Sequence, residues 1–537
     1  MKVDRRGLLA LAGIASAAGA VGLGLVRGRR RPPGALGGPD ISRGHSLRRG
    51  GFPPPASFEE TGVAIVGGGI AGLSAAWALA EAGFTDYRLL ELEDAPGGNA
   101  RSGRNHISAF PLGAHYLPVP NEEARALRLL LTRLGMIRGE SAGKPVYDPY
   151  QLCADLEERV FAQGRWQEGL IPRTGVSDGD RADLAGFEER MDSFSKLVGS
   201  DGRPAFASPA AYSSRDAALV ALDRLPFSAW MEAQGWRSPV LKAHVRYAMR
   251  DDYGCEPEHV SAWAGVHYFA CRRGWSANAE PGALLTWPEG NGRLAAAMAG
   301  RVEPAIRPGR IVHRVAREGN RVLVDGFDVA TQRSVRTRCW AAILAVPHFI
   351  AQRIAPDDVA PDPRFTYAPW LVANVTVDRM PAGRGVPLAW DNVSATSESL
   401  GFVVATHQGP AAQTAGTVLT WYMALSRQDP AEARRLLLSR PADEWKRIVE
   451  EDLLASNPEL EGALRSIELW RWGHAMIRPT PGFIWDEGRL AARPRAPVLL
   501  AHSDLSGLSL FEEAHYHGTR AAEDAMTYVE HPFESLL

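Results

Sequence analysis

The chain has 537 residues, of which 45% are hydrophobic and 23% are charged, as in ordinary globular proteins. This length exceeds what one hydrophobic core usually serves, so more than one domain is expected. The formal net charge of −2 provides no electrostatic footprint for nucleic acid. Four cysteines without a Cys-x-x-Cys pair indicate neither a zinc knuckle, a redox dithiol nor a disulfide scaffold.

The N-terminus has the pattern of a targeting segment. Arg5 and Arg6 are followed at once by an apolar run without a charged residue up to Val26. This resembles a twin-arginine export signal, so residues 1–26 are set apart from the fold and the protein is expected to be periplasmic or otherwise exported. The run is about long enough to span a bilayer, and no clear cleavage site follows it. A retained membrane anchor therefore stays open.

Residues 27–57 differ in composition from the rest of the chain. They hold seven Arg, seven Gly and six Pro, with Asp40 as the only acid. Such a composition buries too little apolar surface to offset the entropy of ordering. We therefore predict a flexible linker over 27–57.

A dinucleotide-binding βαβ unit is predicted next. The apolar run 63–66 is typical of a buried parallel strand, and the glycine-rich loop 67–72 follows it without a gap. Residues 73–82 read as a helix, and a second strand ends at Glu91. An acid at that place accepts hydrogen bonds from a ribose and disfavours a 2′-phosphate, so NADP is not expected here.

Each position of the glycine-rich loop has a mechanical reason. Gly67 makes the tight turn after the strand, and Gly69 lets the backbone approach a pyrophosphate. Gly72 lets the helix pack closely against the strand. Ile70 and Ala71 open the helix, where free N–H groups and the positive end of the helix dipole attract phosphate.

The segments after Glu91 carry a family resemblance. A glycine-paired loop spans 94–102, and Leu-Gly-Ala-His-Tyr follows at 112–116. With these segments the chain resembles the flavin amine oxidase superfamily, which includes monoamine and polyamine oxidases, protoporphyrinogen oxidase and the phytoene desaturases. Further similar segments occur in order at 311–315, 341–347, 498–504 and 512–518. The resemblance implies that the dinucleotide is FAD.

The resemblance also implies further cofactor contacts. These are expected at Gly97, Gly98, Asn99, Gly113, Ala114, Val315, Asp504 and Ala514. Val315 is the expected adenine contact, and Asp504 the expected contact to the ribityl–phosphate region. Asn99 departs from the arginine that is usual in relatives. Relatives with covalent flavin attach it through a cysteine near the C-terminal segment, where this chain has none, so non-covalent FAD is expected.

Three residues are candidates for catalysis. His115 and Tyr116 follow the step that passes the flavin ring in relatives, so a base there could take a substrate proton. A purely structural role for His115 stays open. Asn374 occupies the position of the lysine that holds a water beside the flavin in many amine oxidases. His515 and His517 are two residues apart, which is a poor spacing for a helical metal site, so no metal is expected.

Together these features predict an α/β protein with two interleaved domains. A Rossmann-like FAD-binding domain is expected from 58–118, 280–350 and 490–530. A substrate domain with a mixed sheet plus helices is expected from 119–279 and 351–489, with the flavin at the domain boundary.

The predicted function is FAD-dependent oxidation of an amine-like small molecule by hydride transfer, with oxygen or a quinone as electron acceptor. A desaturase or porphyrinogen-type oxidase acting on a hydrophobic substrate is an alternative, and so is a flavin-binding protein without turnover.

Overall fold

The computed structural model describes residues 32–408 and 416–537, so the predicted export signal lies outside the described residues. The fold class is confirmed: the described residues form an α/β protein with two large sheets and helices on both. Within the described ranges, no helix combines the length and apolar character needed to cross a membrane.

The first large sheet contains the predicted βαβ unit. Its central strands run parallel, and an antiparallel hairpin extends one side. In spatial order the strands are Ile306–Arg307, Tyr87–Leu90, Ser57–Val66, Arg333–Leu344, Arg321–Asp328 and Arg310–Glu318, and Val498–Leu500 pairs with the far end of Arg333–Leu344. Buried side chains on both faces of this sheet explain the continuous apolar runs seen in the sequence.

The second large sheet is mixed, as predicted for the substrate domain. Most of its pairs are antiparallel, but both its first pair and the pair between residues 158–162 and 391–394 are parallel. In spatial order the strands are Leu36–Gly37, Leu464–Ile477, Tyr367–Val377, Thr417–Ala424, Phe402–Val404, Asp391–Ser394, Glu158–Ala162 and Arg165–Glu168. Three two-stranded ribbons pair Tyr116–Pro118 with Leu284–Thr286, Ser102–Arg104 with Ala109–Pro111, and Ile137–Ser141 with Lys144–Tyr147.

Two long helices cover one face of the first sheet. Ile70–Glu81 is buried along nearly its whole length, because Phe511–Tyr528 packs over it from the other side. The remaining helices within the described residues are Ile41–Arg49, Arg125–Arg133, Asp178–Lys196, Ala217–Val220, Phe227–Ala233, Pro239–Tyr253, Ala262–Ala270, Gly292–Val302, His348–Ile354, Pro430–Ser439, Ala442–Ser456 and Glu487–Ala491. Those between residues 178 and 270 share a core of their own.

The chain passes between the two sheets several times. Strands of the first sheet fall in the three predicted segments, apart from the start of the central strand at Ser57. The second sheet and the separate helical core draw on the other two segments, with Leu36–Gly37 as the added strand.

The predicted flexible linker is wrong for its described part, residues 32–57. Backbone N–H groups of Ile467 and Leu469 donate to carbonyls of this segment at 2.8 and 2.9 Å. The helix Ile41–Arg49 follows, and Arg43 pairs with Asp94 at 2.8 Å. Backbone pairing, ion pairs and the packing of Leu36 and Leu47 against the cores order this segment despite its polar composition.

Candidate active site

Two cavities meet between the large sheets. The first, here called the dinucleotide cavity, lies at the carboxyl ends of the parallel strands and is lined by the loop 67–71, Glu91 and Asp504. The second, here called the inner cavity, is lined by His115 and Tyr116. The two share part of their walls: Asn99, Ala114, Asn291, Ala475, Ser509, Leu510 and Phe511 line both. A ligand in one cavity therefore borders a ligand in the other.

The glycine-rich loop has the geometry that a pyrophosphate requires. Gly67 has φ +100°, a conformation that other residues rarely adopt. A Cβ on Gly72 would lie 1.9 Å from the Gly67 carbonyl oxygen, so the helix approaches the strand only because this residue is glycine. Ile70 and Ala71 bring the start of the helix to the dinucleotide cavity, where its N–H groups can meet an anion.

Glu91 closes one side of the glycine-rich loop. Its carboxylate accepts the N–H of Gly68 at 2.6 Å and that of Glu93 at 2.7 Å. Burial raises the pKa of Glu91, although these two hydrogen bonds act in the opposite direction. Each carboxylate oxygen retains a second lone pair for a ribose hydroxyl.

The paired glycines Gly97 and Gly98 bring a second loop against the first. The Gly97 N–H donates to the Gly68 carbonyl at 2.8 Å. Gly98 lines the dinucleotide cavity, and its Cα would lie 3.9 Å from a Cβ on Gly69. Gly97 itself is not among the lining residues, so its part is to hold the loop rather than to face the ligand.

The expected adenine contact at Val315 needs correction. Val315 does not line the dinucleotide cavity; it pairs with Val324 inside the hairpin and is buried. Val312 and Arg310 line the cavity instead. The strand advances about 3.3 Å per residue, so Val315 lies roughly 10 Å farther along it than Val312.

Arg310 and Asn291 place polar atoms at the wall of the dinucleotide cavity. Within the described part of the chain, neither Nε of Arg310 nor Oδ1 of Asn291 has a hydrogen-bond partner. Both residues line the dinucleotide cavity. Buried polar groups are normally hydrogen-bonded, so these two atoms suit the polar groups of a nucleotide. Together with the glycine-rich loop and Glu91, they fit FAD.

Asp504 lies at the end of the strand Val498–Leu500. Its Oδ2 accepts the Tyr367 hydroxyl at 2.5 Å and the His348 N–H at 2.8 Å. Burial alone would raise the pKa of Asp504, but His502 and these hydrogen bonds outweigh burial and lower it. The carboxylate is therefore held charged at the wall of the dinucleotide cavity.

The helix Phe511–Tyr528 points its N-terminal end at the junction of the two cavities. Leu510 and Phe511 line both cavities, and Ala514 lines the dinucleotide cavity. The positive end of the helix dipole therefore faces the position where a flavin ring would lie. His515 and His517 are buried behind this face and line neither cavity.

His115 is a neutral ring in the wall of the inner cavity. Burial lowers the pKa of His115 to about 4, although its contact with the Gly113 carbonyl acts in the opposite direction. That carbonyl lies 3.2 Å from Nδ1 and can only accept a hydrogen bond, so the ring proton belongs on Nδ1. The Nε2 lone pair is then available to a ligand.

Tyr116 belongs to an ionic cluster at the far side of the inner cavity. Its hydroxyl donates to Asp252 at 2.9 Å and accepts from Arg272 at 3.0 Å. Arg272 also donates to both carboxylate oxygens of Asp252 at 3.1 and 3.2 Å. Asp251 lines the same wall and has only a 3.5 Å contact with the Tyr116 hydroxyl. Burial and the neighbouring Asp252 raise the pKa of Asp251.

The catalytic prediction for Asn374 is wrong. This residue is buried and lines neither cavity. Its Nδ2 donates to the Pro111 carbonyl at 3.0 Å, and its Oδ1 accepts the Thr420 hydroxyl at 2.7 Å. Because an Asn side chain is shorter than a Lys side chain, it ends within the protein and holds the chain just before Gly113.

Hydrogen bonds of Asn99 and Trp472 join segments of the two domains beside the cavities. The Asn99 amide donates to the Ala475 carbonyl at 2.6 Å, and the Trp472 indole N–H donates to the Leu112 carbonyl at 2.6 Å. Both side chains also line the inner cavity. The Asn99 side chain thus joins the loop after Gly98 to the strand Leu464–Ile477 of the second sheet.

Most residues that line the inner cavity were not singled out by any motif in the sequence. Trp370 and Val372 alternate on one strand, and Thr420 and Tyr422 alternate on its neighbour, so one face of this sheet forms the cavity wall. The rings of Trp370 and Tyr422 are nearly parallel, with centroids 6.2 Å apart. The two-residue alternation indicates which side chains share a face of the sheet, but it does not indicate which face lines a cavity. Within the described residues, no group of three or more His, Cys, Asp or Glu side chains could hold a metal ion.

Comparisons with known proteins agree with this architecture. A family model for an NAD(P)-binding Rossmann-like domain matches residues 65–134. Among solved structures, a putrescine oxidase double variant from a redesign of cofactor binding is 17% identical, covering 88% of this chain and 100% of its own, with a TM-score of 0.64. Cyclohexylamine oxidase from Brevibacterium oxydans is 17% identical, covering 89% and 100%, with a TM-score of 0.62.

A protein with a different named activity is also similar. The CLA-producing fatty acid isomerase from P. acnes is 16% identical, covering 86% of this chain and 97% of its own, with a TM-score of 0.59. At such identities the likeness concerns the fold alone. The chain therefore has the fold that these two amine oxidases and the isomerase share, built around a Rossmann-like unit.

Proposed function

We propose that the chain is an oxidoreductase that binds FAD non-covalently and oxidises an amine. The observation that carries this proposal is the inner cavity, where carboxyl groups and aromatic rings lie beside the wall shared with the dinucleotide cavity. The fold shared with putrescine oxidase and cyclohexylamine oxidase supports the proposal.

The residues of the dinucleotide cavity would hold FAD as follows. The loop 67–72 and the helix after it receive the pyrophosphate, and Glu91 receives a ribose. Arg310 and Val312 contact the adenosine half. None of the described residues lining this cavity is a cysteine, which agrees with non-covalent binding. Bound flavin supplies an acceptor for a hydride from the substrate.

The inner cavity suits a cation. Asp251, Asp252 and Glu512 line it together with Arg272. Burial raises the pKa of Asp251 to about 8 and that of Glu512 to about 7, and a bound ammonium group would favour the charged form of both. The faces of aromatic rings such as Tyr422 attract ammonium groups as well. An amine donates a hydride only as the neutral free base, and the Nε2 lone pair of neutral His115 can accept a hydrogen bond from an N–H of that amine.

The test is anaerobic titration of purified protein with alkylamines, arylalkylamines, diamines and amino acids, followed by the flavin absorbance. We expect one class to bleach the flavin. Asp251→Asn should lower the second-order rate of bleaching by about tenfold or more, because it removes the unpaired carboxyl from the cavity. Asp178→Asn, at a side chain that is 97% exposed, should leave the rate unchanged.

A second candidate function is oxidation of a hydrophobic substrate by a desaturase-type or porphyrinogen-oxidase-type reaction. It is favoured by the inner cavity, whose described lining residues include no lysine, and by the fatty acid isomerase with a similar fold. Bound flavin that no amine bleaches but a polyene or porphyrinogen does would favour this function. Flavin that neither substrates nor reductants cycle would indicate a binding protein without turnover.

We also propose export through the twin-arginine route and reoxidation of the reduced flavin by oxygen or a quinone. The paired Arg5 and Arg6 before an apolar run support export. Replacing both by Lys should retain the protein in the cytoplasm, as judged by cell fractionation. Release in soluble form from the periplasm would exclude a retained anchor. Comparing oxygen with a soluble quinone in stopped-flow reoxidation would identify the acceptor.

A further inference from the structure

A surface groove lies behind the inner cavity, on the side away from the dinucleotide cavity. It follows the helix Asp178–Lys196, and its walls include the apolar side chains of Leu184, Phe187, Met191 and Phe269. A second depression continues it and shares four of its lining residues, including Glu188. These depressions together are here called the outer groove.

Arg272 connects the outer groove to the inner cavity, because it lines both. Its side chain is only 21% exposed and is held by Asp252 and the Tyr116 hydroxyl. The guanidinium also lies over the ring of Tyr268, with 4.8 Å to the ring centroid. Arg272 thus lies where the outer groove and the inner cavity adjoin.

We propose that the outer groove is the path by which substrate reaches the inner cavity, and that Arg272 is its gate. This inference rests on the proposed function and adds to it a substrate class: primary amines with an apolar alkyl or aryl body. The apolar walls of the groove accept the body of such a molecule, whereas the groups around Arg272 select its charge.

Charge selection takes place at Asp252, the carboxylate that holds the gate on its inner side. The outer groove carries both signs of charge, with Glu188 and Asp192 beside Lys196 and Arg273, so the groove itself does not select charge. A substrate ammonium can replace the guanidinium at Asp252, so the buried carboxylate keeps a cationic partner while the gate is open. An anion or a neutral molecule offers no such exchange.

Cys271 provides a reporter that needs no turnover. Cys271 lines the inner cavity and is buried, and burial raises the pKa of its thiol, so labelling is carried out at alkaline pH where more thiolate forms. The thiolate of Cys271 would attack 2-aminoethyl methanethiosulfonate, forming a mixed disulfide and releasing methanesulfinate, with the thiol proton passing to water. The reagent carries a primary ammonium, as the proposed substrate does. Its sulfonatoethyl analogue is the anionic counterpart.

The experiment uses FAD-loaded protein and follows Cys271 by peptide mass spectrometry. The double variant Glu188→Trp/Ser195→Trp fills the groove, because both residues line it. The matched control is Glu189→Trp/Ser193→Trp, on the same helix but lining neither depression. Ser193 and Ser195 each donate one hydroxyl hydrogen bond to a backbone carbonyl of this helix, so the two substitutions remove equivalent contacts.

We expect the filled groove to slow modification of Cys271 by at least about tenfold while the control stays near wild type. After correction for their rates with a free thiol, the cationic reagent should react faster than the anionic one. Because Arg272 lowers the pKa of Cys271, its removal slows thiolate formation with both reagents, so Arg272→Ala is judged by the ratio of the two rates, which should rise in favour of the cationic reagent. The buried Cys339, which lines neither cavity nor the groove, reports any general loosening of the fold.

Equal rates in the two double variants would overturn the path. So would a Cys271 thiol that stays unmodified in every folded form. A faster anionic reagent, or no rise in the ratio of the two rates in Arg272→Ala that is shown to be folded, would overturn the gate. Because the reporter requires no oxidation of an amine, its result is separate from the amine titration that tests the proposed function.

Discussion

Gly72 shows how a single hydrogen atom decides whether the cofactor site can form. A Cβ there would lie 1.9 Å from the Gly67 carbonyl oxygen, whereas a Cβ on Gly300, within another helix, meets nothing within 4 Å. We expect Gly72→Ala to abolish FAD retention and to destabilise the fold by about 1–3 kcal/mol through overpacking. Gly300→Ala should instead gain roughly 0.5–1 kcal/mol, because Ala suits a helix better than Gly. Denaturant unfolding and FAD titration measure both, and a Gly72→Ala protein that binds FAD normally would contradict the close approach.

Glu513 makes stability depend on pH in a defined direction. Burial raises the pKa of Glu513 to about 7, against the hydrogen bonds from Ser506 and the Ala210 N–H. The folded state therefore holds the proton more tightly than the unfolded state does. The stabilisation is full below the ordinary pKa of a Glu, about 4.3, and is lost as pH rises to about 7.

We expect Glu513→Gln, which stays neutral, to gain stability relative to wild type between pH 5 and pH 8, by an amount on the order of 3 kcal/mol at most. Thermal unfolding at the two pH values measures this difference. Glu140→Gln, on an exposed hairpin, is the control and should show the same difference from wild type at both. A pH-independent effect of Glu513→Gln would show that this carboxyl is already charged at pH 5.

Individual residues differ in how well the sequence predicted them. Gly67, Gly69 and Glu91 could be placed because their roles depend on backbone geometry within one short segment. Asn374 and Val315 could not, because their roles depend on where a strand of one sheet ends relative to a cavity. Neither the position of a side chain relative to a cavity nor the register of its strand against a distant strand can be read from a local pattern.

At the scale of elements, the N-terminal helix Ile41–Arg49 adds a wall to the dinucleotide cavity through Leu47. We expect a protein beginning at Pro32 to keep its FAD affinity and one beginning at Ser57 to lose about tenfold or more of it, since roughly 1.5–3 kcal/mol accompanies burial of one Leu side chain. Leu47→Ala should reproduce part of this loss.

The control for Leu47→Ala is Ile41→Ala. Ile41 lies on the same helix, is 38% exposed and does not line the cavity, so its removal should not change the FAD dissociation constant. Both constants can be measured by reconstituting apoprotein and following flavin fluorescence. Equal affinity of the two truncated proteins would show that the helix only covers the surface.

The elements themselves were predictable where a pattern is local. The βαβ unit follows from apolar runs and glycines in sequence. The acids of the inner cavity do not, because Asp251 and Asp252 lie near the end of a helix whose pattern shows only that one face is buried. Their meeting with Arg272 and Tyr116 depends on how that helix packs against distant segments, which periodicity does not reveal.

For the whole molecule, apolar strands far apart in the chain predicted the interleaving of the two domains. The strands Ser57–Val66, Arg333–Leu344 and Val498–Leu500 do lie side by side in one sheet. The chain crosses between the two domains several times, so the sheets are linked covalently. Both domains also contribute residues to the shared cavity wall. A ligand that orders this wall therefore stabilises both domains.

This arrangement predicts which nucleotides stabilise the protein. Arg310 and Leu47 line the dinucleotide cavity, and so do Leu510 and Ala114 where it adjoins the inner cavity, so we expect a ligand with both an adenosine and a flavin half to fill it best. FAD at one hundred times its dissociation constant should add about 2.7 kcal/mol to the free energy of unfolding of apoprotein. FMN lacks the adenosine half and NADP would bring a 2′-phosphate to Glu91, so at the same concentration each should raise the melting temperature much less. Thermal unfolding of apoprotein with each nucleotide makes the comparison. A shift with FMN equal to that with FAD would mean that the adenosine end of the cavity contributes nothing to binding.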